Sequence, residues 1–490
     1  MEPWLDPPLF DADAIRAVDR WAIEEQGVPS PRLMRAAASA LAEAVAGLSP
    51  QGPVRVICGK GNNGGDGEIA AELLAGMGFE VAVLKLFERD PLPDLDAWLA
   101  DAGVVVDAIF GTGFAGAPRE PAAAAIEAIN RCGAPVVACD IASGVAASDG
   151  EIAATAVEAD LTVSFHAAKL GQLIAPGKWH TGELRVAPIG IPPGAPVEPS
   201  GGVISPAVLA LAPRRGPRST KFSSGQVAIA GGSRGLTGAV RMSSTAAIRA
   251  GAGYATVAVP ADLDLVFEIA QPEVMSAPCA GGDGCLGPAS AEAVLAAFER
   301  AAAGVLGPGL GRDPGSLALA RDLVGRIEAP LVLDADGLNA LAGRLELLAA
   351  RRAATVLTPH AGELGRLLER DSEAIAAHRL AAAREAAAAA GAIVVLKGDD
   401  TIVTDGTRVA VNAVSAPALA TAGSGDVLSG IAAALLARGL EPFAAACAAV
   451  LAHARAGLDA AARIGAAESV IASDVIDSIA AGLRPAGAVE

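Results

Sequence analysis

Short apolar segments in this sequence lead directly into glycine-rich turns and then into helix-forming segments. The first such unit is VRVIC at 54–58, followed by GKGNNGGDG at 59–67 and the helix-competent segment EIAAELLAGMG. A strand, a glycine-rich turn and a helix in this order form the βα unit of open parallel sheets, which bind ligands at the carboxyl ends of their strands. The turn lacks the GK[ST] ending of the Walker A motif. The pattern therefore predicts an α/β fold with a ligand site at one sheet edge.

Polar side chains follow successive predicted strands in the first half of the chain. Asn63 lies in the first glycine-rich turn, Asp107 ends a second strand, Asp140 and Ser143 follow a third, and Lys169 lies beyond a fourth. A single Asp after a strand is commonly only a cap. Because parallel strands end at the same sheet edge, five such groups together favour a functional site.

A second series of the same kind follows a Pro/Gly-rich segment at 190–205, GIPPGAPVEPSGGVIS, which is typical of an interdomain linker. The alternation of strands and helices again predicts a parallel sheet. We therefore predict two α/β domains, residues 1–200 and 201–490. The second series contains GQVAIAGGSRGLTGA, AAGVLGPGLGRD, APLVLDADGLNAL, TVLTPHAGELGRLL and AIVVLKGDDTIVTDG.

The most informative stretch of the second half is ATAGSGDVLSG, in which a glycine-rich turn at 423–425 precedes a helix-competent segment from Val427. The unpaired N–H groups and the dipole of such a helix end attract anions. A carboxylate beside a bound phosphate needs another role, and Asp426 is suited to take a proton from an attacking hydroxyl. The motif alone also fits an Asp N-cap after a glycine turn.

Composition excludes several other classes of function. The 55 acidic residues exceed the 37 basic ones and give a net charge of −18, which argues against nucleic acid or a membrane as partner. The six Cys are scattered and form no CxxC pair, which predicts a reduced, cytoplasmic protein without a zinc site. His166, His378 and His453 lie outside every motif and are expected to be structural or solvent-exposed.

Residues 10–190 resemble the NAD(P)HX epimerase domain, on the motifs GKGNNGGDG, VVDAIFGTGFAG, CDIASG and TVSFHAAKLG. The resemblance implies a Rossmann-like three-layer αβα domain that interconverts the R and S epimers of hydrated NADH or NADPH. It implies that K⁺ is held by Asn63, Asp107 and Ser143, and that Asp140 contacts the substrate near the reacting carbon, assisted by Lys169. The implied dinucleotide-binding residues are Asn62, Asn63, Gly64, Gly65, Asp66, Gly111, Thr112, Gly113, Phe114, Ala115, Gly116, Ala117 and Asp140.

Residues 225–430 are similar to the ribokinase-like superfamily and, within it, to the ADP-dependent NAD(P)HX dehydratases. The motifs are GGSRGLTGA, GPGLG, LDADGLN, TPHAGE, LKG and LATAGSGDVLSG. The resemblance implies that ADP, with Mg²⁺, phosphorylates the C6 hydroxyl of S-NAD(P)HX, and that elimination then gives NAD(P)H, AMP and phosphate. It also suggests a homo-oligomer. Asp426 would be the base, Ala239, Gly309, His360 and Asp426 would contact the substrate, and Lys397, Gly398, Asp399, Asp400, Thr401, Gly423, Ser424 and Gly425 would hold ADP.

Two alternatives stay open at this point. The second half also resembles kinases of vitamin precursors or sugars, which share the GSGD motif, and the first half would then be non-catalytic. A nucleotide-sensing scaffold is a non-enzymatic alternative. TPHAGE argues against the kinase, and the presence of Asp140, Lys397 and Asp426 argues against the scaffold.

Overall fold

The computed structural model of the chain describes residues 1–89 and 91–485. The described residues form two compact units. Unit 1 comprises Met1 and Pro7–Gly202, and unit 2 comprises Glu2–Asp6 together with the chain from Val203 onward. Each unit alternates strands with helices, which confirms the predicted α/β class.

The described part of unit 1 contains eight strands and six α-helices, counting β1, whose first two residues are assigned to unit 2. The strands are β1 Leu5–Phe10, β2 Val54–Cys58, β3 Val81–Lys85, β4 Val104–Ala108, β5 Val136–Cys139, β6 Leu161–Phe165, β7 Ala168–Lys169 and β8 Glu183–Ala187. The helices are α1 Ala12–Arg20, α2 Ser30–Gly47, α3 Asn62–Gly76, α4 Leu95–Leu99, α5 Ala122–Arg131 and α6 Lys178–Thr181, with a π-helical segment at Trp21–Glu25.

The main sheet of unit 1 has the order β3-β2-β4-β5-β6-β8, and all of its pairings are parallel. Every residue of β4 and β5 is buried, because helices cover both faces of the sheet. One apolar cluster, built around α2 and α3, covers one face, and a second cluster that includes α5 covers the other. The carboxyl ends of β2, β4 and β5 therefore meet at one edge of a Rossmann-like domain.

Unit 2 contains strands β9 to β20 and helices α7 to α18, counting β9, whose first two residues are assigned to unit 1. The strands are β9 Gly201–Ile204, β10 Gln226–Ala230, β11 Tyr254–Pro260, β12 Val274–Cys279, β13 Gly281–Gly282, β14 Cys285–Leu286, β15 Ala303–Leu306, β16 Leu331–Leu333, β17 Thr355–Leu357, β18 Ile393–Leu396, β19 Ile402–Thr404 and β20 Val409–Val411. The helices are α7 Thr237–Arg249, α8 Asp264–Ala270, α9 Ala291–Phe298, α10 Pro314–Arg326, α11 Asp336–Asn339, α12 Glu346–Ala349, α13 Ala361–Leu368, α14 Ser372–Ala377, α15 Arg379–Ala390, α16 Ser424–Ala437, α17 Pro442–Ile464 and α18 Ala472–Gly482.

The large sheet of unit 2 runs in the order β12-β11-β10-β15-β16-β17-β18-β19-β20. Its pairings are parallel from β12 to β18 and antiparallel from β18 to β20. The order of the strands reverses at β10: the strands that follow it directly in the chain, β11 and β12, lie on one side of it, and β15 to β18 lie on the other. In open α/β sheets, ligands bind at the carboxyl ends of strands beside such a reversal.

Helix α17 is the one helix of the described chain that is long and apolar enough to cross a bilayer. Its sequence is rich in alanine, and 83% of its most apolar 18-residue stretch is buried inside the structure. The helix packs against α16 and α18 in the alanine- and leucine-rich core of unit 2. Burial of this kind is typical of a core helix.

Candidate active sites

A cavity of about 660 Å³ lies in unit 1 at the carboxyl ends of β2, β4 and β5. Both carboxylate and amine groups line it, together with apolar side chains from α1 and α2. Its polar lining includes Asp19, Asn63, Asp66, Thr112, Asp140 and Lys169. The structure therefore brings Asp140 and Lys169 into one cavity with most of the predicted dinucleotide-binding residues.

Asp140 and Lys169 form an ion pair at this cavity, with Lys169 Nζ donating to Asp140 Oδ1. The Lys169 side chain is fully buried, whereas 13% of the Asp140 side chain is exposed. Lys169 Nζ also donates to Ser164 Oγ at 2.9 Å and to the Phe165 carbonyl at 3.1 Å. Burial opposes ionisation of Asp140, but Lys169 and Thr112 outweigh it and hold the pKa of Asp140 below its usual value. Asp140 is an anion at neutral pH.

The backbone at Asp140 has a left-handed conformation, with a φ of +67°. Such conformations are uncommon for non-glycine residues and are concentrated at functional sites. Gln172 Nε2 donates to the Asp140 carbonyl at 2.7 Å, and Thr112 Oγ1 donates to Asp140 Oδ2 at 2.5 Å. These contacts fix Asp140 at its backbone carbonyl and at its carboxylate.

Two further carboxyl groups of the cavity, Asp19 and Asp66, have raised pKa values. Burial and the charges of Asp140 and Asp19 raise the pKa of Asp66 to about 8, and burial and Asp140 raise that of Asp19 to about 6. Asp66 is 8% exposed, and its Oδ1 has no hydrogen-bond partner in the described chain. Asp66 is therefore mainly protonated at neutral pH. Sequence analysis missed Asp19, whose only signal is a carboxylate beside the buried Val18 of α1.

Asn63, Asp107 and Ser143 are linked in a buried network around one carbonyl group. Asn63 Nδ2 donates to the Phe110 carbonyl at 2.9 Å, Ser143 Oγ lies 3.3 Å from the same carbonyl, and Ser143 Oγ donates to Asp107 Oδ1 at 2.6 Å. Asp107 is fully buried, and burial raises its pKa to about 6 despite the Ser143 contacts. Within the described chain, no cationic side chain pairs with Asp107.

The NNGGDG segment is helical, which corrects the prediction of a turn with the helix beginning after it. Helix α3 begins at Asn62. A Cβ atom at Gly64 would lie 2.1 Å from the Gly59 carbonyl oxygen, and one at Gly67 would lie 2.5 Å from the Ala108 Cβ. The glycines therefore permit close packing of the helix against β4 and against Gly59, which follows β2. Within the GKGNNGGDG motif, only Gly61, before the helix, has a positive φ.

The predicted dinucleotide-binding residues are not equally placed. Phe114 stacks on Phe110 with ring centroids 4.4 Å apart and closes one side of the cavity. Of the predicted set, the residues lining the cavity are Asn62, Asn63, Asp66, Gly111, Thr112, Gly113, Phe114, Ala115 and Asp140. Among described residues, Gly64, Gly65, Gly116 and Ala117 are not part of the lining.

Lys397 is the central cation of the candidate site in unit 2. It follows β18, and its Nζ lies 3.3 Å from Asp334 Oδ1 and 3.5 Å from Glu363 Oε2. Burial lowers the pKa of Lys397, but Asp334 and Glu363 outweigh burial and raise it overall. A Cβ atom at Gly425 would lie 3.4 Å from Lys397 Nζ. The LKG and GSGD motifs therefore meet at this lysine.

Asp426 lies in the first turn of α16, which begins at Ser424, three residues before the predicted start. Burial and the nearby charge of Asp334 raise the pKa of Asp426 to about 7, while Lys397 acts in the opposite direction. A carboxyl group with this pKa accepts and releases protons at neutral pH. Gly423, before the helix, has a φ of +89° that favours glycine. The Ser424 N–H contacts the Thr421 carbonyl at 3.4 Å.

The loop 397–401 is fixed by buried polar contacts. Arg379 Nε donates to Asp400 Oδ2 at 2.9 Å, and both side chains are nearly inaccessible to solvent. Thr401 Oγ1 donates to the Gly398 carbonyl at 2.6 Å, and Asp399 accepts a hydrogen bond from Ser415. These contacts fix the backbone shape of the loop.

The predicted substrate contacts Ala239 and Gly309 lie together. A Cβ atom at Gly309 would lie 3.2 Å from the Ala239 Cβ, and Gly309 has a φ of +59°. His360 caps α13, where its Nδ1 accepts from the Gly362 N–H at 3.0 Å. The His360 side chain is 54% exposed, and its Nε2 lies 3.6 Å from Glu363 Oε1. Glu363 therefore contacts both His360 and Lys397.

A smaller cavity of about 180 Å³ in unit 2 involves two buried polar residues that sequence analysis missed. Asn412 and His453 line it together with Gly398, Asp399 and Thr401 of the 397–401 loop. No motif includes His453, and its role depends on a tertiary contact between α17 and residues near β20. Asp334 pairs with Lys397 at 3.3 Å, and Asp336 pairs with Arg312 at 3.2 Å.

Comparison with known proteins identifies both units. The family described as NAD(P)H-hydrate dehydratase matches residues 227–480, and the family described as YjeF-related protein N-terminus matches residues 30–102 and 85–171. A ribokinase-like superfamily protein of Enterococcus faecalis matches 57% of this chain and 94% of its own, with a TM-score of 0.50 and 24% identity. This last likeness shows the fold of unit 2.

The folds and sites define a two-part α/β enzyme with a Rossmann-like unit and a ribokinase-like unit. The bifunctional NAD(P)H-hydrate repair enzyme of Salinibacter ruber is 37% identical across 97% of this chain and 96% of that protein. The Escherichia coli protein of the same description is 34% identical across 96% of this chain and 93% of its own length. The chain belongs to the bifunctional NAD(P)H-hydrate repair enzyme family. The predicted isomerase and lyase activities are confirmed in preference to a kinase of vitamin precursors or sugars.

Proposed function

We propose that unit 1, residues 1–200 in the sequence-based division, interconverts R- and S-NAD(P)HX, and that unit 2, residues 201–490, dehydrates the S form at the expense of ADP. The observation that supports this most strongly is a carboxyl group suited to proton transfer in each candidate site. Asp66 lies beside the Asp140–Lys169 pair in unit 1, and Asp426 lies beside Lys397 in unit 2.

In unit 1, epimerisation requires the C6–O bond of the hydrate to break and re-form. The leaving oxygen takes a proton from Asp66 and departs as water, and the ring nitrogen supplies the electron pair of the resulting C=N bond. Asp140, which Lys169 keeps ionised, stabilises the cationic ring. Water then adds to the opposite face and returns a proton to Asp66. The residues of 62–66 and 111–117 that line the cavity hold the dinucleotide.

The oxygen donors of Asn63, Asp107 and Ser143 suit K⁺, which prefers oxygen ligands as other hard cations do. The fit rests on Asp107, a fully buried carboxylate that no cationic side chain of the described chain pairs with. K⁺ would supply the positive charge that offsets this carboxylate. Asn63 and Ser143, which share the Phe110 carbonyl as a neighbour, would complete the ligand set.

In unit 2, Asp426 takes the proton of the C6 hydroxyl as its oxygen attacks the β-phosphorus of ADP. An O–P bond forms, the bond to AMP breaks, and the N–H groups of residues 423–425 and Lys397 stabilise the transferred phosphoryl group. The C6–O bond then breaks, phosphate leaves, and loss of a C5 proton gives the C5=C6 bond of NAD(P)H. Ala239, Gly309 and His360 contact the hydrated dinucleotide, and residues 397–401 hold ADP.

We propose that Mg²⁺ reaches unit 2 on the nucleotide phosphates. The described residues contain no group of three or more His, Cys, Asp or Glu side chains placed to hold a metal ion. Asp334 and Asp336 are each paired with a cationic side chain. We therefore assign Mg²⁺ no protein ligand.

We propose that the protein acts in the cytoplasm as a homo-oligomer. All six cysteines are free thiols, as a reducing compartment favours. Helix α8 exposes Leu265 and Ile269, which are 67% and 75% exposed and share one face of the helix. Sedimentation of the wild-type protein and of Ile269→Asp would test self-association through this face.

The experiment that tests the proposed function follows dihydronicotinamide absorbance after the protein is added to mixed R- and S-NADHX. The reaction is run with Mg²⁺, with K⁺ or Na⁺, and with ADP, ATP or no nucleotide. We expect complete conversion only with ADP and K⁺. Conversion that stops at the S fraction would show that unit 1 is inactive, and no conversion would contradict both assignments. Spontaneous epimerisation is subtracted with a protein-free control.

A further inference from the structure

The smaller cavity of unit 2 has the features of a binding site for a single heteroaromatic ring. Its volume of about 180 Å³ is below the range of about 300–1,000 Å³ that is usual for drug-sized ligands. Apolar side chains form much of its wall, and the 397–401 loop forms one side. The apolar lining includes Val414, Leu419, Leu428 and Val450.

Asn412 lines this cavity and has an unpaired, buried acceptor atom. Its side chain is buried, with 3% exposure, and its Nδ2 donates to the Val414 carbonyl at 2.9 Å. A carbonyl can only accept, so this contact fixes which end of the amide is NH₂. Asn412 Oδ1 then has no partner in the described chain. A buried oxygen of this kind requires a donor, which a ligand can provide.

His453, which also lines the cavity, has a second unpaired, buried ring nitrogen. It is 7% exposed, and its Nε2 has no partner among the described residues. Burial, assisted by Lys397, lowers the pKa of His453 to about 4, so the ring is neutral at pH 7, while a hydrogen bond with the Ser424 backbone acts in the opposite direction. A hydrogen bond favours the protonated form of histidine when a ring N–H donates it, so the Ser424 backbone acts here as the acceptor. Since Nε2 is unpaired, Nδ1 carries the proton and Nε2 is an acceptor.

From these two acceptors in one apolar cavity we infer that Asn412 and His453 select adenine by accepting hydrogen bonds from its exocyclic amino group. The amino group has two N–H donors and suits two acceptors. Hypoxanthine has a carbonyl oxygen at that position, which would face Asn412 Oδ1 and His453 Nε2 without any proton to share. The inference rests on the proposed use of ADP and adds the residues that determine base specificity.

The test is calorimetric binding of ADP, IDP and N6,N6-dimethyl-ADP to the full-length protein without NAD(P)HX. We expect ADP to bind at least about tenfold more tightly than IDP and dimethyl-ADP, because each lost hydrogen bond leaves a buried acceptor unpaired. This comparison uses the wild-type protein and is independent of whether any variant folds. Equal affinity for ADP and IDP would overturn the inference.

Two variants locate the preference. Asn412→Leu and His453→Phe each remove one acceptor and leave a side chain of similar size. Each variant should bind ADP at least about tenfold more weakly than the wild-type protein does, while its affinity for IDP changes little. Asp426→Asn is the matched control, because it changes the phosphate end and should leave the ratio of ADP to IDP affinity unaltered. Equal losses for both nucleotides in Asn412→Leu and His453→Phe would contradict the assignment.

The outcomes separate this inference from the proposed function. Equal affinity for ADP and IDP, with ADP-dependent dehydration intact, overturns only the roles assigned to Asn412 and His453. No binding of any nucleotide overturns the proposed use of ADP as well. A base preference together with absent dehydration supports the inference and contradicts the proposed reaction.

Discussion

At the scale of single residues, burial and neighbouring charges give chemically identical aspartates different protonation states. The pKa of Asp140 is lowered beside Lys169, whereas the pKa of Asp66 in the same cavity is about 8. In unit 2 the pKa of Asp426 is about 7. One side-chain type therefore provides an anion at Asp140, a proton donor at Asp66 and a base at Asp426.

Asp426→Asn should abolish dehydration and leave epimerisation intact. The change removes the proton acceptor with little change of shape, and general-base contributions are about 10²–10⁴-fold in rate. The measurement is the rate of NADH formation from S-NADHX with ADP, beside the rate of R to S conversion. An equal fall of both rates in a folded variant would contradict the assignment of separate sites.

The wild-type dehydration rate should also rise with pH through about 7. Asp426 must be ionised to act as a base, and its raised pKa places that ionisation near neutrality. The pH profile of kcat/KM for S-NADHX checks this. A rate that is flat from pH 5 to 8 would exclude Asp426 as the base that limits the reaction.

Asp66→Asn should slow epimerisation at least about 10²-fold, because the proton donor is lost. Since the wild-type enzyme needs protonated Asp66, whose pKa is about 8, its epimerisation rate should fall as pH rises above 8. The rate of R to S conversion against pH measures both effects. A variant with wild-type rates would show that Asp66 only binds substrate.

The same variant should alter how stability depends on pH. A folded-state pKa raised from 3.8 to about 8 means that stability from protonated Asp66 is present below pH 4 and is lost as pH rises to about 8. Asp66→Asn cannot ionise, so its unfolding free energy relative to wild type should increase from pH 5 to pH 8. Chemical unfolding of both proteins at the two pH values tests this.

At the scale of elements, the close contact of α3 with the strands beneath it explains the glycine-rich sequence. A Cβ atom at Gly64 would collide with backbone at 2.1 Å, whereas one at Gly65 would meet only the flexible Met34 side chain at 3.5 Å. Gly64→Ala should therefore destabilise unit 1. Gly65→Ala should be neutral or stabilise it by about 0.5–1 kcal/mol, because alanine favours helix interiors.

Thermal unfolding of the two alanine variants provides the measurement, with the dehydration rate as an internal reference for unit 2. Dehydration should survive in both variants. If Gly64→Ala and Gly65→Ala had equal stability, the collision at Gly64 would not be the reason for its glycine.

The sequence predicts the strands better than it predicts the exact helix starts and the individual residues of the sites. Strands such as β2 and β4 follow from apolar runs that end in glycine or aspartate. The start of α3 could not be predicted, because glycines within 59–67 are typical of turns and their packing role depends on Ala108, which is distant in sequence. Asp19 and His453 were missed for a related reason: each depends on tertiary contacts, and neither belongs to a motif.

At the scale of the whole molecule, the division into units does not follow the order of the chain. Residues Glu2–Asp6 belong to unit 2, although Pro7 begins unit 1. Trp4 is 5% exposed, and its ring lies 6.0 Å from that of Phe443. Arg408 contacts Glu2 at 3.3 Å and lies over the Phe443 ring at 4.2 Å.

Trp4→Ala should therefore destabilise unit 2 by about 3–5 kcal/mol, as expected for removing a buried tryptophan. Heat inactivation of dehydration, compared with that of epimerisation in the same sample, measures the effect on each unit. Trp179→Ala is the matched control, because Trp179 is 59% exposed and should change stability by no more than about 0.5 kcal/mol. Faster loss of epimerisation than of dehydration in Trp4→Ala would contradict the assignment of residues 2–6.

The position of Trp4 also has a consequence for synthesis on the ribosome. Trp4 is made long before Phe443, its neighbour in the finished protein, and Pro7–Gly202 of unit 1 is made between them. Unit 1 can fold during translation, while the segment before it stays unpaired with its partner until the chain around Phe443 has been made. A gene divided at the linker near residue 200 would leave Glu2–Asp6 on the wrong product.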